Sequence, residues 1–358
     1  MTLFDSPDFE AHEGVHAFYD ERSGLKCVIA VHSTARGPAA GGCRMWPYPS
    51  AEAAEGDALR LSRAMSYKNA MADLDLGGGK AVIIGDARTQ KTPALFAAFG
   101  RAVDALGGRY WTAEDVGVSP ADLTHARETT RFVAGLEGHP AASGDPSPVT
   151  AEGVFRGLRL CVRRALGRDL DGVRVAVQGV GHVGGRLAEK LAAAGARLTI
   201  TDVNPEVLRA VAERTGATAV APGAIFDAEA EVFAPCALGG AINAETLPRL
   251  RARVIAGAAN NQLADSATGR AVFARGILYA PDYVLNGGGI INVAGEIRAL
   301  ERGEAFDPDW VDGKLERLIQ TLEEVLDRAQ AERRPTNELA NEIARARITL
   351  AAEKRQAA

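Results

Sequence analysis

The chain lacks the features that mark membrane, secreted and nucleic-acid-binding proteins. It contains no run of eighteen apolar residues, so we expect no membrane-spanning helix. Its 41 Lys and Arg against 46 Asp and Glu give a net charge of -5, and we therefore expect neither nucleic acid nor an anionic membrane as a partner. The start, MTLFDSPDFEAHEG, has no basic segment followed by an apolar run, so no secretory signal is expected.

Cysteine is also scarce. None of the cysteines forms a Cys-x-x-Cys pair or has a histidine at metal-ligand spacing. They stand singly at Cys27, Cys43, Cys161 and Cys236. We interpret them as reduced, structural thiols of a cytoplasmic protein, and we expect no bound metal.

A length of 358 residues favours two domains over a single core.

Two lysines carry the first functional signal. The segment Leu76–Lys80 (LGGGK) predicts a flexible glycine turn that ends in an ammonium group, and Lys68 lies on a helix predicted over Glu52–Met71. On that helix Lys68 shares a stripe with apolar residues: Ala54, Ala58, Leu61 and Met65. Because an unpaired buried charge is costly, such a lysine indicates a partner or a reaction. We expect the two lysines to grip a carboxylate and to keep one amine deprotonated enough to act as a base.

A phosphate-binding P-loop is an alternative interpretation of GGGK. That motif requires Ser or Thr directly after the lysine and a glycine where this chain has Leu74. Ala81 follows Lys80, so the P-loop is excluded.

The chain changes character near Ala142–Pro148 (ASGDPSP), a segment rich in turn formers that predicts a hinge between domains. Before it, strand and helix signals are mixed, with strands over Leu25–Val31 and Ala81–Ile84. After it, strands such as VRVAVQ and RLTITD alternate with helices, which predicts a mostly parallel sheet covered on both faces. Two helices are predicted at the end, one stopping before Pro335.

A G-x-G-x-x-G motif follows the predicted strand VRVAVQ and opens a helix. It comprises Gly179, Val180, Gly181, His182, Val183 and Gly184. The next strand ends at Asp202, eighteen residues past Gly184, so the whole dinucleotide-binding context is present. The glycines allow a pyrophosphate to approach the helix N-terminus. Asp202 would bind the ribose hydroxyls and repel a 2′-phosphate, which favours NAD over NADP. His182 has no obvious chemistry and is expected on the surface of the helix.

We therefore predict an α/β protein with an N-terminal α/β substrate domain, a Rossmann-type NAD-binding domain and C-terminal helices that pack back. The substrate and oligomerisation domain is assigned to 1–145, with a C-terminal helix of about 336–358. The dinucleotide-binding domain is assigned to 146–335.

The other distinctive segments occur in a fixed order: GPAAGGCRMWPY, MSYKNAMADLDLGGGKAVIIGD, TAEDVGVSP, VAVQGVGHVG, FAPCALGG, IAGAANNQL and YAPDYVLNGGGIINV. Together they closely resemble the Glu/Leu/Phe/Val family of amino-acid dehydrogenases over essentially the whole chain, and most nearly its leucine and phenylalanine members. The resemblance implies an enzyme that reversibly oxidises an L-amino acid to a 2-oxo acid, ammonium and NADH. It also implies a homo-oligomer.

The resemblance carries roles onto individual residues. Lys80 matches the catalytic lysine, and Asp115 matches the acid that passes protons to and from the substrate nitrogen; taken alone, Asp115 could equally be a turn carboxylate. Lys68 matches the lysine that binds the substrate carboxylate, with Gly41, Gly42, Met65 and Asn261 beside it. Thr150, Asn260 and Asn286 match the residues that hold the nicotinamide end of the cofactor. Cys236 and Ala237 match the loop beside the cofactor.

Matching positions place uncharged residues around the substrate side chain: Ala40, Ala113, Ile290 and Val293. The absence of a basic residue among them argues against glutamate as the substrate. Ala113 and Val293 are similar to the leucine-type members, whereas Ala40 is smaller than their usual residue and deepens the pocket. We expect leucine, valine or isoleucine as the preferred substrate, and phenylalanine as the second choice.

Three other functions fit the sequence less well. A non-catalytic NAD-binding regulator would have lost Lys80 or Asp115, and both are present. An NADP-dependent glutamate dehydrogenase is disfavoured by Asp202 and by the apolar pocket. A 2-hydroxy-acid dehydrogenase would need a histidine–carboxylate pair, for which His125 and His139 offer no suitable setting.

Overall fold

The chain divides into two units in the computed structural model, which describes residues 3–357. Unit 1 runs to Asp145 and also includes Ile290–Asp312 and the chain from Ala344 onward. Unit 2 consists of Pro146–Gly289 and Gly313–Ile343. No helix within the described residues is both long and apolar enough to cross a membrane.

Unit 1 is built on a mixed sheet. Its strands are β1 (Gly14–Asp20), β2 (Leu25–Ser33), β3 (Ala39–Ala40), β4 (Cys43–Trp46), β5 (Gly77–Ile84) and β6 (Tyr110–Trp111). They lie in the order β1-β2-β5-β3-β6, and β4 also pairs with β5. Strand β2 runs antiparallel to both β1 and β5, whereas β3 and β4 run parallel to β5. The strand predicted over Leu25–Val31 is confirmed.

Helices cover both faces of this sheet. They are α1 (Ala51–Met71), α2 (Pro93–Asp104) and α3 (Pro120–Arg127). Each begins at a Ser or Thr whose side chain accepts a hydrogen bond from the backbone N–H three residues later: Ser50, Thr92 and Ser119. Apolar residues of α2 and α3, such as Phe99 and Leu123, pack on one face of β2, and Ala58 of α1 packs on the other face.

The predicted glycine turn at Gly77–Lys80 is wrong, because these residues form the first half of β5. A Cβ at Gly78 would lie 2.0 Å from the Ser66 nitrogen of α1, and one at Gly77 would lie 1.9 Å from the Ser33 carbonyl oxygen of β2. The glycines are therefore required by close backbone packing within a strand, and they give Lys80 a rigid position instead of a flexible one.

Unit 2 contains a parallel sheet, as predicted. Its strands are β7 (Arg174–Gln178), β8 (Arg197–Thr201), β9 (Thr218–Ala219), β10 (Val232–Pro235), β11 (Val254–Ile255) and β12 (Leu278–Tyr279). They lie in the order β12-β11-β10-β7-β8-β9, and every pairing is parallel. The order reverses beside β7, where such sheets bind ligands at the carboxyl ends of their strands.

The helices of this part of the chain are α4 (Ser147–Leu166), α5 (His182–Ala193), α6 (Pro205–Thr215), α7 (Ser266–Ala274) and α8 (Asp282–Leu285). Thr150 lies within the first turn of α4, because the helix already begins at Ser147. The segment DYVLNGGG (282–289) is helical, since it forms α8 and the start of the next helix.

Three helices complete the chain: α9 (Gly288–Arg302), α10 (Pro308–Glu332) and α11 (Thr336–Ala357). The sequence assigns all of 146–335 to the cofactor domain, whereas Ile290–Asp312 belongs to unit 1. The backbone N–H of Phe306 donates to Pro140 there, at 3.0 Å. The last part of α11 also belongs to unit 1, where Arg345 donates to the Tyr67 hydroxyl at 2.7 Å.

Candidate active site

Lys80 and Asp115 form an ion pair inside unit 1. The Lys80 Nζ lies 2.8 Å from Asp115 Oδ2, and only 6% of the Lys80 side chain is exposed. Lys80 is held by β5 next to the three glycines, and Asp115 lies in a turn closed by a hydrogen bond from Val118 N–H to the Asp115 carbonyl. The two residues that the sequence singles out for proton transfer are therefore within proton-transfer distance of each other.

A second cation contacts the same carboxylate. Arg44 Nε lies 3.1 Å from Asp115 Oδ2, the oxygen that also accepts from Lys80. Burial alone would raise the pKa of Asp115, but the Lys80 ammonium and the Arg44 guanidinium outweigh it and hold that pKa below its usual range. Asp115 is thus a carboxylate at neutral pH.

The neighbouring Glu114 shows the opposite shift. Burial raises the pKa of Glu114, and the carboxylates of Asp145, Asp115 and Glu137 raise it further. Adjacent acids in one turn therefore differ in how readily they ionise, because cations contact Asp115 while carboxylates surround Glu114.

Three of the residues predicted to bind the substrate, Ala40, Gly41 and Gly42, lie at the end of β3 and in the link to β4. A Cβ at Gly41 would lie 2.0 Å from the Gly79 carbonyl oxygen and 3.0 Å from Met65 Cγ. One at Gly42 would lie 2.3 Å from the Glu114 carbonyl oxygen. The two glycines thus bring Met65 and the Glu114–Asp115 turn close to β5. Ala40 and Ala113 are buried alongside them.

Lys68 lies one turn after Met65 on α1. The predicted helix is confirmed, but the apolar stripe is only partly right, since Leu61, Met65 and Lys68 are half-buried. The buried face contains Ala54 and Ala58 together with the polar residues Ser62, Ser66 and Asn69. Asn69 donates its side-chain amide to the Gly77 carbonyl oxygen of β5, whereas its buried Oδ1 has no hydrogen-bond partner within residues 3–357.

Ile290 and Val293, predicted to face the substrate side chain, lie half-buried in α9. The part of α9 that contains them belongs to unit 1. The same unit contains Ala40, Met65, Lys68 and Ala113. Asn261 differs from the other predicted substrate residues because it belongs to unit 2. Its backbone has a φ of 51°, a left-handed conformation that asparagine tolerates better than most residues.

The predicted dinucleotide motif forms a tight turn between β7 and α5. Gly179 has a φ of 89°, and a Cβ at Gly184 would lie 2.0 Å from the Gly179 carbonyl oxygen. Gly181 is different, because a Cβ there would meet no atom of the described part of the chain within 4 Å. Gly181 precedes the N-terminus of α5, where no side chain caps the free N–H groups. The turn therefore offers open space and backbone donors, which suits a pyrophosphate.

Asp202 follows β8 and is fixed by backbone donors. Its Oδ2 accepts from Val180 N–H at 2.8 Å, and its Oδ1 accepts from Asn204 N–H at 2.9 Å. The carboxylate is thus attached to the glycine-rich turn. The segment Asp202–Glu206 (DVNPE) contains no basic residue that would accommodate a 2′-phosphate.

The remaining residues predicted for the cofactor also belong to unit 2. His182 is exposed at the start of α5, and Val183 follows it. Ala237 lies against the turn, since a Cβ at Gly179 would be 2.8 Å from its Cβ. Burial raises the pKa of the Cys236 thiol to about 12, so this cysteine is a poor nucleophile.

Asn286 lies at the end of α8 with an unsatisfied buried oxygen. Its amide nitrogen donates to the Asn260 side chain at 2.8 Å and to the Ala258 carbonyl at 3.1 Å, whereas its Oδ1 has no partner among the residues that the structure describes. A buried acceptor without a donor is costly, so this oxygen suits the amide group of a nicotinamide. Thr150, by contrast, donates its hydroxyl to the Pro146 carbonyl within α4.

The sequence does not single out two charged residues that have well-defined partners in the structure. Arg44 lies between buried Cys43 and Met45, and a charge at such a position signals a buried partner. Glu296 lies on the buried face of α9, fully buried, and accepts hydrogen bonds from Gly135, Leu136 and Ser143. Within residues 3–357, no group of three or more His, Cys, Asp or Glu side chains is arranged to hold a metal ion.

Comparison with known proteins identifies relatives over both units. Residues 12–132 match the model of the Glu/Leu/Phe/Val dehydrogenase dimerisation domain, and residues 199–356 match that of the glutamate/leucine/phenylalanine/valine dehydrogenases. Leucine dehydrogenase of Geobacillus stearothermophilus is 48% identical over 97% of this chain and 94% of that protein. Phenylalanine dehydrogenase of Bacillus thermotolerans is 43% identical over 97% and 91%, respectively.

The fold has a solved counterpart in L-tryptophan dehydrogenase from Nostoc punctiforme. The two chains superpose with a TM-score of 0.83 and 39% identity, covering 95% of this chain and 97% of that one.

Proposed function

The chain belongs to the Glu/Leu/Phe/Val dehydrogenase family and is an amino-acid dehydrogenase, and we propose that it oxidises branched aliphatic L-amino acids with NAD. The observation that carries the proposal is the buried Lys80–Asp115 pair, with Nζ and Oδ2 2.8 Å apart. A base and a carboxylate in contact can move the protons that oxidative deamination requires.

We assign the proton steps to this pair. Bound NAD would supply the hydride acceptor that oxidation of the substrate amine to an imine requires. Lys80 then takes a proton from the water that attacks the imine carbon. Asp115 passes protons to and from the substrate nitrogen, so that ammonium leaves and a 2-oxo acid remains. The rigid strand β5 holds the Lys80 backbone in place throughout.

Lys68 is proposed to bind the substrate carboxylate, helped by the backbone at Gly41 and Gly42. A branched aliphatic substrate is favoured because the predicted side-chain pocket carries only alanine, isoleucine and valine. The small Ala40 and Ala113 leave room for a larger group, so phenylalanine is the second candidate. A difference of one methylene changes discrimination by only about 1–3 kcal/mol, and a broad preference among apolar substrates is expected.

NAD is proposed over NADP because of the Asp202 carboxylate. Gly179, Gly181 and Gly184 would hold the pyrophosphate with the N-terminus of α5, Asp202 would hold the ribose hydroxyls, and Asn286 the nicotinamide amide. The unsatisfied Asn286 Oδ1 and the open space at Gly181 support this arrangement.

We further propose that the chain works as a homo-oligomer in the cytoplasm. The matched model of residues 12–132 is described as a dimerisation domain, which supports self-association. The four cysteines are unpaired, which suits a reducing compartment. Light scattering of the purified protein would give the number of subunits, and a monomer would contradict the first part of this proposal.

The test is a panel of rates of reduced-cofactor formation with leucine, valine, isoleucine, phenylalanine and glutamate, each with NAD and with NADP. We expect the aliphatic substrates with NAD to give the highest kcat/KM and glutamate to give almost none. Asp202→Asn is the matched variant, because it keeps an oxygen for the Val180 N–H while removing the charge. It should reduce the ratio of kcat/KM with NAD to kcat/KM with NADP. A preference for glutamate or for NADP would contradict the proposal.

A further inference from the structure

Arg44 connects the proposed catalytic pair to α1. Its Nε contacts Asp115 Oδ2 at 3.1 Å, and its Nη1 contacts Asp57 Oδ2 at 3.0 Å. Asp57 also accepts from the Tyr48 hydroxyl and, at 3.2 Å, from Arg60. The guanidinium fork is therefore held at two points, one on each carboxylate, and cannot rotate without breaking a charged hydrogen bond.

Arg44 differs from Lys80 in how it can change charge. Lysine can give up its proton in a protein interior, whereas a guanidinium stays protonated. Burial opposes the charge of Arg44, but Asp115 and Asp57 outweigh this effect and raise its pKa further. Arg44 is thus a fixed positive charge beside a pair whose own charge must change during the proposed reaction.

We propose that Arg44 is a positioning residue that keeps Asp115 an oriented carboxylate when Lys80 gives up its proton. This inference rests on the proposed roles of Lys80 and Asp115. Once Lys80 is neutral, Arg44 is the remaining cation in contact with Asp115 among the ion pairs described here. Without Arg44, the half-buried carboxylate would hold a proton that the reaction needs elsewhere.

The charged groups around the Lys80–Asp115 pair all affect how strongly the pair holds its proton. Asp115 faces Lys80 of β5 and Arg44 of β4, and Glu114 and the Cys43 thiol lie close enough to interact with it. Of these groups, Arg44 is the fixed cation, so it favours release of a proton from the Lys80–Asp115 pair. Removing it should make the pair retain its proton to higher pH.

The test compares pH profiles of kcat/KM for leucine oxidation. Arg44→Gln should move the acid limb upward by about one pH unit and lower kcat near neutrality about tenfold. Arg44→Lys keeps a positive charge but lacks the guanidinium fork. Its acid limb should return most of the way to the wild-type pH, and its kcat should lie between those of Arg44→Gln and the wild type. Arg60→Gln is the matched control, because it also removes a contact to Asp57 but none to Asp115; its profile should be that of the wild type.

The variant Asp115→Asn distinguishes a failure of the Arg44 proposal from a failure of the role proposed for Asp115. If this variant is inactive and Arg44→Gln moves the limb, the proposal is supported. If it is inactive and both Arg44 variants keep the wild-type limb and kcat, Arg44 is not a positioning residue, although the function stands. If Asp115→Asn keeps full activity, the role of Asp115 is wrong, and the Arg44 proposal falls with it. Unfolding followed by tryptophan fluorescence checks that each variant is folded.

Discussion

Two carboxylates of unit 1, the half-buried Asp115 and the fully buried Glu296, are stabilised by different means. Asp115 is stabilised by charge, with Lys80 and Arg44 in contact with one of its oxygens. Glu296 is stabilised by hydrogen bonds: Oε1 accepts from the N–H groups of Gly135 and Leu136, and Oε2 accepts from the N–H and hydroxyl of Ser143. Charged partners suit a group that must take part in proton transfer, whereas backbone donors suit a fixed anchor.

Replacing Glu296 should therefore destabilise unit 1 severely. Glu296→Ala leaves the N–H groups of three residues and one hydroxyl without an acceptor, and we expect a loss of about 3–5 kcal/mol in the free energy of unfolding. Ser143→Ala is the matched control, since it removes only the hydroxyl donor and should cost about 1 kcal/mol. Denaturant unfolding measures both values. A loss of less than 1 kcal/mol for Glu296→Ala would show that the carboxylate is not an anchor.

At the scale of elements, the sequence predicts most helices and strands but not the role of the glycines at Gly77–Gly79. Local preference alone assigns three consecutive glycines to a turn. Their true position in β5 depends on neighbouring elements: β2 leaves no room for a Cβ at Gly77, α1 leaves none at Gly78, and the Tyr110 ring of β6 leaves none at Gly79. Such close packing is a property of the tertiary structure. The glycines of the β7–α5 turn were predicted correctly, because there the motif itself contains the neighbouring strand and helix.

Glycine substitutions distinguish the glycines that allow close packing in β5 from those of the turn between β7 and α5. Gly78→Ala would put a Cβ 2.0 Å from the Ser66 nitrogen, and we expect it to lower the free energy of unfolding by about 3 kcal/mol. Gly181→Ala meets no protein atom within 4 Å, so it should fold normally and weaken NAD binding about tenfold. Denaturant unfolding and calorimetric titration with NAD measure the two effects. Equal stability of both variants would contradict the packing argument.

At the scale of the whole molecule, the division into units separates the proposed roles. The ion pair and the aliphatic side-chain residues belong to unit 1, and the glycine-rich turn, Asp202 and Asn286 belong to unit 2. The sequence predicts this separation and the change of character near Ala142–Pro148. It does not predict that Ile290–Asp312 returns to unit 1, because the anchoring contacts of Glu296 join segments far apart in the chain.

Unit 1 should lose stability in mild acid. Burial, with nearby His12 and Arg63, lowers the pKa of His32 from 6.5 to about 4. Between these values the unfolded chain binds a proton that the folded chain does not, so the free energy of unfolding falls as the pH drops. The loss should begin near pH 6.5 and reach about 3 kcal/mol near pH 4.

Tryptophan fluorescence can follow this loss in unit 1 alone, because Trp46, Trp111 and Trp310 all belong to it. Denaturant unfolding at pH 7 and pH 4.5 should show the loss in the wild type. His32→Gln provides the control, since it cannot titrate but can still hydrogen-bond to the Ser66 hydroxyl, which contacts His32 Nδ1 at 2.8 Å. The same pH dependence in that variant would show that His32 is not responsible.

The most direct test of the proposed chemistry is turnover by Lys80→Ala, measured as NADH formed from leucine at saturating substrate and cofactor. Lys80 belongs to unit 1 and the glycine-rich turn to unit 2, so calorimetric titration should show unchanged NAD affinity while kcat falls by at least a thousandfold, on the order expected when a general base is removed. If Lys80→Ala retains a kcat near that of the wild type, Lys80 is not the base.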